Sequence, residues 1–171
     1  MEQIKWFDRK FNFEASQNIF PSIIERLSGT PLRLEHKIKL INPAIRTVRP
    51  NDTWSIHENI GHLTDLESLW QGRFEDIRNG ALELRPTDLQ NSKTDQANHN
   101  SKAIEELVAE FNQARQHTLR LIENIDETLI FKSALHPRLK TPMRTMDLFL
   151  FVAEHDDHHL ARITEIARIV G

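Results

Sequence analysis

The sequence contains no cysteine, which excludes a disulfide framework, a thiolate nucleophile and a cysteine-based zinc site. Any bound metal ion must therefore be held by histidine, aspartate or glutamate. Tyrosine is also absent, and only five glycines occur among 171 residues. Few β-branched residues alternate with polar ones, so the pattern disfavours sheet and predicts helices throughout. The chain has no apolar run that could span a bilayer and no apolar signal core at its start. We therefore expect a cytoplasmic protein without a membrane partner.

The charge balance argues against nucleic acid as a partner. The net charge is −3 with neutral histidines, so the chain as a whole does not attract phosphate backbones. Basic residues gather between residues 33 and 49, but no aromatic residues or nucleic-acid motifs accompany them, and we expect a solvated face. A phosphate-binding glycine loop, a dinucleotide fingerprint and a nucleophile elbow are missing as well.

Apolar residues recur at helical spacing in several segments, and the length suits a single domain. Residues 1–10 form an arm, and polar residues 81–97 form a long connection that predicts a crossover or a lid. The helices are expected over these segments: 13–27 with an end at Ser28-Gly29, 30–41 with Pro31 in the first turn, 55–79, 102–126 and 145–170. Long amphipathic helices in one domain predict an all-α four-helix bundle with a long crossover connection.

The last predicted helix carries histidines at positions where its apolar stripe calls for core residues. His155 and His159 stand one turn apart on the same face, between Val152 and Ile163. Burying an imidazole without a partner costs roughly 1–3 kcal/mol. A shared transition-metal ion would explain both side chains. The pair is weaker than the metalloprotease helix motif, since no glutamate follows the first histidine, and hydrogen-bonded core histidines remain the alternative.

A third histidine, His62, lies at the core edge of the second long helix. If this helix packs against the last one, three imidazoles can converge and leave a ligand position open, as in catalytic zinc sites. The alternative is an ordinary hydrogen-bonded core histidine. Glu58 could orient the His62 ring or serve only the Ser55-x-x-Glu58 capping box. Glu67 or Asp65 could act as a general base.

For other polar residues near these positions, the sequence predicts less specific roles. Asp156 and Asp157 are expected to be surface acids, although one of them could accept a hydrogen bond from a ligand histidine. His158 is expected to be exposed or to support the site from outside. His136 lies in a loop and could reach the mouth of the bundle.

Two stretches of the sequence resemble the DinB-like family. The first is Trp54-Ser55-x-x-Glu58-x-x-Gly61-His62-Leu63-x-Asp65, which resembles the family's second-helix motif. The second is His136-Pro137, Thr145 and His155-x-x-His158-His159-x-Ala161-x-Ile163-Thr164-Glu165, which resembles the C-terminal helix of the YfiT-type branch. The resemblance covers about residues 30–171. The resemblance implies one DinB-like domain over residues 1–171 and a divalent metal, zinc or nickel, bound by His62, His155 and His159.

The resemblance also implies a homodimer, a small-molecule substrate and a set of activities. These are thiol S-transfer with bacillithiol or mycothiol, thiol-dependent isomerisation, and metal-dependent hydrolysis. The leading hypothesis is a thiol S-transferase whose three-histidine metal centre activates a low-molecular-weight thiol. The alternatives are a hydrolase that uses a metal-activated water, and a non-catalytic metal-binding bundle. The aromatic residues of the arm and its continuation are a candidate dimer contact: Trp6, Phe7, Phe11 and Phe13.

Overall fold

The computed structural model describes residues 3–171; residues 1 and 2, the start of the expected arm, lie outside the described residues. This part of the chain is mainly helical. Its helices are α1 (Phe20–Lys39), α2 (Ile56–Arg78), α3 (Ser92–Gln96), α4 (Ile104–Ile122), α5 (Glu127–Phe131) and α6 (Thr145–Val170). Two strands, β1 (Ser133–Leu135) and β2 (Pro142–Arg144), pair antiparallel between α5 and α6.

The four long helices α1, α2, α4 and α6 form a bundle, which confirms the predicted fold. Helix α2 packs against α4 and α6, and α1 packs against the same two helices. Consecutive helices α1 and α2 therefore occupy opposite corners, and so do α4 and α6. The connections 40–55 and 123–144 each join two opposite corners, whereas residues 79–103 connect the neighbours α2 and α4.

The first helix differs from the prediction of two separate helices. Helix α1 begins at Phe20 and continues through Gly29 and Pro31 as one element. Proline in a helix interior lacks the N–H that would bond to the carbonyl four residues earlier. Here that carbonyl belongs to Leu27, and Arg115 Nη1 of α4 donates a hydrogen bond to it at 3.2 Å. A tertiary contact thus replaces the lost helical bond, and no local signal reveals it.

Helices α2 and α6 begin where the sequence predicts. The Ser55 hydroxyl accepts a hydrogen bond from the Glu58 N–H at 3.2 Å, and the Glu58 carboxylate accepts one from the Ser55 N–H at 2.9 Å. Glu58 also pairs with Arg49, so of its two predicted alternatives the capping box is confirmed and the contact with His62 is not formed. The small sheet contradicts the expectation of helices throughout, because three-residue strands are too short to show an alternating pattern.

A layer of polar side chains divides the core into two apolar clusters. Each long helix contributes to this layer: Thr30 from α1, Glu67 from α2, Arg115 from α4 and Asp156 from α6, all of them buried. Arg115 donates to Glu67 Oε1 at 2.9 and 2.6 Å and to Asp156 Oδ1 at 2.9 Å. The Thr30 hydroxyl donates to Asp156 Oδ2 at 2.8 Å. The prediction of Asp156 as a surface acid is therefore wrong.

The single cation of this layer, Arg115, lies between two carboxylates. Burial opposes the charge of Arg115, but the adjacent Asp156 and Glu67 carboxylates outweigh that effect and raise the Arg115 pKa. Glu67 is held by Arg115 and by the Thr118 hydroxyl. Its carboxylate therefore serves the core, and the structure does not support its predicted role as a general base.

Candidate metal centre

Helices α2 and α6 bring the three predicted histidines together. His62, His155 and His159 are all buried, and one nitrogen from each lies within 4.8 Å of the others. The His62 ring centre is 5.2 Å from that of His155 and 4.8 Å from that of His159. Among residues 3–171, this is the only cluster of histidine and carboxylate side chains with the spacing of a metal site.

Hydrogen bonding fixes the proton of His159 on the nitrogen that faces away from the cluster. The Asn59 side-chain amide donates to the Ser55 carbonyl at 2.7 Å. Its oxygen is therefore an acceptor, and it lies 2.8 Å from His159 Nδ1. The Nδ1 atom must carry the proton, which leaves the lone pair of the His159 ring on Nε2.

A longer relay does the same for His62. Thr94 Oγ1 donates its single proton to Asp65 Oδ2 at 2.9 Å. The hydroxyl must then accept the proton of His62 Nδ1, which lies 2.9 Å away. Asp65 also accepts from His99 Nε2 at 2.9 Å, so its carboxylate is occupied in orienting the centre rather than free to act as a base. The lone pair of His62 is again on Nε2.

The third imidazole, His155, completes a set of three neutral nitrogen ligands. His155 Nε2 lies 3.2 Å from His159 Nε2. Burial, followed by the neighbouring imidazoles, lowers the pKa of both rings well below its usual value. Burial likewise lowers the pKa of His62 to about 4. Neutral, converging imidazole nitrogens are the donor set that zinc, nickel and related divalent ions bind, so the residues present fit such an ion.

The histidines open onto a cavity of about 290 Å³. All three tryptophans of the chain line it. Trp54 packs on His62, with ring centres 4.6 Å apart, and Trp6 meets His155 edge-on at 4.9 Å. The 81–97 segment joins the neighbouring helices α2 and α4, so the prediction of a crossover there is wrong. It contributes residues 86–89 and 91 to the wall, and its action as a lid stays a prediction. The arm therefore packs on its own chain through Trp6, and a dimer contact through it stays a prediction.

Three further residues that the sequence singled out lie around the cluster or at the surface. His158 is half-buried, and its Nδ1 lies 2.9 Å from the Gln3 amide nitrogen. Asp157 pairs with Arg26 at the surface. His136 does reach the cavity wall.

Sequence reasoning missed Asn59 and Thr94, which hold the outer nitrogens of two histidines, and the buried Arg73 of the cavity wall. Asn59 and Arg73 had a usable signal, because they lie one turn before and three turns after His62 on the same stripe of α2. Thr94 lies in a polar segment without periodicity and had none.

Comparisons with known proteins agree with this architecture. The sequence matches the DinB superfamily over residues 12–163. No curated protein matches it. None of the helices within residues 3–171 has the length and hydropathy of a membrane span.

Three solved structures share the fold. YfiT from Bacillus subtilis is described as a probable metal-dependent hydrolase with an unusual four-helix bundle topology; it is 19% identical, with a TM-score of 0.80 over 95% of this chain and 94% of YfiT. A Streptococcus pneumoniae protein is 14% identical, with a TM-score of 0.69 over 92% of this chain and 94% of its own. An uncharacterized Clostridium difficile 630 protein is 14% identical, with a TM-score of 0.68 over 92% of this chain and 100% of its own. The match over residues 12–163, on a four-helix bundle with three clustered histidines, shows that this chain belongs to the DinB superfamily.

Proposed function

We propose that the protein is a metal-dependent enzyme in which His62, His155 and His159 bind a divalent transition metal, zinc or nickel. The observation that carries this proposal is the convergence of three buried, neutral imidazoles. Asn59 and Thr94 hold the outer nitrogens of two of them, which directs their lone pairs to the centre. The fold shared with YfiT, described as a probable metal-dependent hydrolase, supports metal-dependent chemistry.

We further propose that the reaction is thiol S-transfer to a small-molecule acceptor. A divalent ion at this centre would lower the pKa of a thiol or a water molecule bound to it. The chain has no cysteine, so the thiol belongs to a low-molecular-weight cosubstrate. The aromatic wall of Trp6, Trp54 and Trp70 would bind and exclude water from the apolar parts of the reactants.

The acid–base groups of the wall favour a thiol over water. Asp88 is the one carboxylate that the described residues contribute to the cavity. Its oxygens accept hydrogen bonds from the backbone N–H groups of Gln90 and Ser92 at 2.9 and 2.7 Å. These hydrogen bonds lower the pKa of Asp88, so the one carboxylate of the wall is a weaker base than an ordinary aspartate. A thiol, with a pKa of about 8.5, depends less on such a base than water does.

Metal-dependent hydrolysis is the second candidate, and the description of YfiT favours it. Both reactions would use the same three histidines. They differ in whether turnover requires an added thiol.

The test compares conjugation with hydrolysis in the purified protein. Monochlorobimane serves as the electrophile with bacillithiol, mycothiol or glutathione, and p-nitrophenyl acetate serves as the hydrolytic substrate. We expect thiol-dependent conjugation that is lost in His62→Ala and retained in His117→Ala, a histidine exposed on α4. Thiol-independent ester cleavage that is lost in His62→Ala would replace transfer by hydrolysis. Neither activity in metal-loaded protein would indicate a non-catalytic bundle.

A further inference from the structure

The cavity holds a second group of polar side chains away from the histidine centre. This cationic cluster consists of Arg73, His136 and Arg138, and all three line the cavity. Arg73 follows His62 by three turns of α2, roughly 16 Å along the helix axis. Both Arg73 and His136 are only 2% exposed. The proposed metal chemistry does not use any of them.

Two hydrogen-bond donors face each other in this cluster. His136 Nδ1 accepts hydrogen bonds from the backbone N–H groups of Arg138 and Leu139, each at 3.1 Å. The proton of the neutral ring must therefore be on Nε2. That atom lies 3.2 Å from Arg73 Nη1, which can only donate. A pair of buried donors at this distance lacks the acceptor that would satisfy both.

In the described part of the chain, no carboxylate accepts a hydrogen bond from the side chains of the cationic cluster. Arg73 Nε donates to the Arg85 carbonyl at 3.1 Å, and its guanidinium lies over the Trp70 ring at 5.6 Å. The nearby Asp76 accepts three hydrogen bonds from Arg85. Among residues 3–171, neither Arg73 nor Arg138 forms an ion pair. Burial lowers the pKa of Arg73 to about 10, the direction expected for a buried cation without a partner.

Aromatic side chains line the cavity between this cluster and the histidines. The Trp70 ring centre is 5.7 Å from that of His155, and the same ring contacts Arg73. The Phe151 ring centre is 6.0 Å from that of Trp70 and 5.9 Å from that of His136. A ligand that spans the cavity must therefore be charged at one end and apolar in the middle.

We propose that the cationic cluster binds the carboxylate of the substrate. The substrate class is an amphipathic carboxylic acid, whose apolar part lies on Trp70 and Phe151 and whose reacting group reaches the histidines. A carboxylate oxygen accepts from Arg73 Nη1 and His136 Nε2 together, which resolves the facing donors and neutralises the buried charge. Arg73 is the one fully buried cation of the cluster and Arg138 is partly exposed, so the cluster suits a single negative charge. The reacting end rests on the proposed function, while the carboxylate contact requires no metal.

The three tryptophans in the cavity make binding visible by intrinsic fluorescence. The probes are octanoate, its neutral counterpart octanamide, and octyl phosphate, added to the protein as isolated. We expect octanoate to bind at least about tenfold more tightly than octanamide, since hydrogen bonds to charged groups have this magnitude. Arg73→Met should abolish the difference. Arg78→Met is the matched control, an arginine of the same helix in a surface ion pair with Glu75, and it should keep the difference.

A second variant guards against misfolding of a protein that loses a buried arginine. Arg138 is only partly buried, so Arg138→Gln should fold and weaken octanoate roughly threefold, as for a half-exposed charge, with octanamide unchanged. Equal affinity for octanoate and octanamide in the wild type would overturn the proposal. An unchanged preference in folded Arg73→Met, or in Arg138→Gln, would overturn it as well. Tighter binding of octyl phosphate would overturn the carboxylate assignment.

Repeating the titration on metal-stripped protein separates this proposal from the proposed function. A carboxylate held by the metal would bind independently of Arg73 and disappear with the metal. If the wild type takes up neither zinc nor nickel but keeps a preference for octanoate that depends on Arg73, the carboxylate site stands and the metal enzyme is refuted. If the wild type binds the metal but shows no preference for octanoate, the metal centre stands and the carboxylate site is refuted.

Discussion

Replacing Thr94 by valine tests whether the hydrogen-bond relay sets the metal affinity of the centre. The substitution keeps the shape of the side chain and removes the hydroxyl that accepts the His62 Nδ1 proton and donates to Asp65. Asp65 retains its hydrogen bond from His99. The His62 N–H is left buried without an acceptor, and the ring loses the contact that holds its lone pair toward the centre.

The magnitude follows from two independent considerations. A buried donor that loses its acceptor costs about 1–3 kcal/mol. Removing a partner that orients a metal-binding histidine typically weakens metal affinity by about 10- to 100-fold, which corresponds to roughly 1.4–2.7 kcal/mol. We therefore expect the zinc dissociation constant of Thr94→Val to rise by one to two orders of magnitude, roughly 10- to 100-fold.

The assay is competition for zinc against a chromophoric chelator at neutral pH. Thr64→Val is the matched control, because Thr64 lies two residues after His62 and its hydroxyl is buried without a hydrogen-bond partner. It should bind zinc about as tightly as the wild type. The reasoning is refuted if Thr94→Val keeps the wild-type dissociation constant under conditions where His62→Ala loses zinc.

Three further predictions concern the scaffold and the cavity. Arg115→Met leaves two buried carboxylates unpaired and should lower the free energy of unfolding in urea by about 3–5 kcal/mol; a loss below about 1 kcal/mol would mean that the polar layer contributes little. A Cβ at Gly61 would lie 2.3 Å from the His99 ring, so Gly61→Ala should displace that ring and weaken zinc binding, and unchanged binding would contradict this packing. Burial, then the nearby Arg73 and Arg138, lowers the folded-state pKa of His136 to about 4. The unfolded chain therefore takes up this proton first as the pH falls from about 6.5, so stability should decline toward pH 4, with a smaller decline in His136→Gln; a stability that is flat over this range would be contrary to the burial of His136.

The parts of the fold that local signals encode were predictable. Helix α2 is marked at its start by the Ser55 capping box, and α6 by a long periodic stripe, so both appear at the expected residues. Helix α1 was not predictable as one helix. Its continuity past Pro31 depends on Arg115, a side chain that approaches from α4.

The candidate site also has residues that the sequence reveals and residues that only the fold reveals. The pair His155 and His159 is visible because helical periodicity places both on a core stripe. Asp156 was misplaced because an acid next to this pair suggests surface exposure unless its cationic partner is known, and that partner lies 41 residues earlier on another helix. Thr94 and Trp6 reach the centre from segments without periodicity, so only the folded chain shows their roles.

The central claim is that the three histidines bind one divalent transition metal. The most direct test is metal content by mass spectrometry of purified wild-type protein beside His155→Ala/His159→Ala, with exposed His117→Ala as the control. The account predicts about one equivalent of zinc or nickel in the wild type and in His117→Ala, and none in the double variant. A wild type that stays empty after incubation with zinc and with nickel would contradict it.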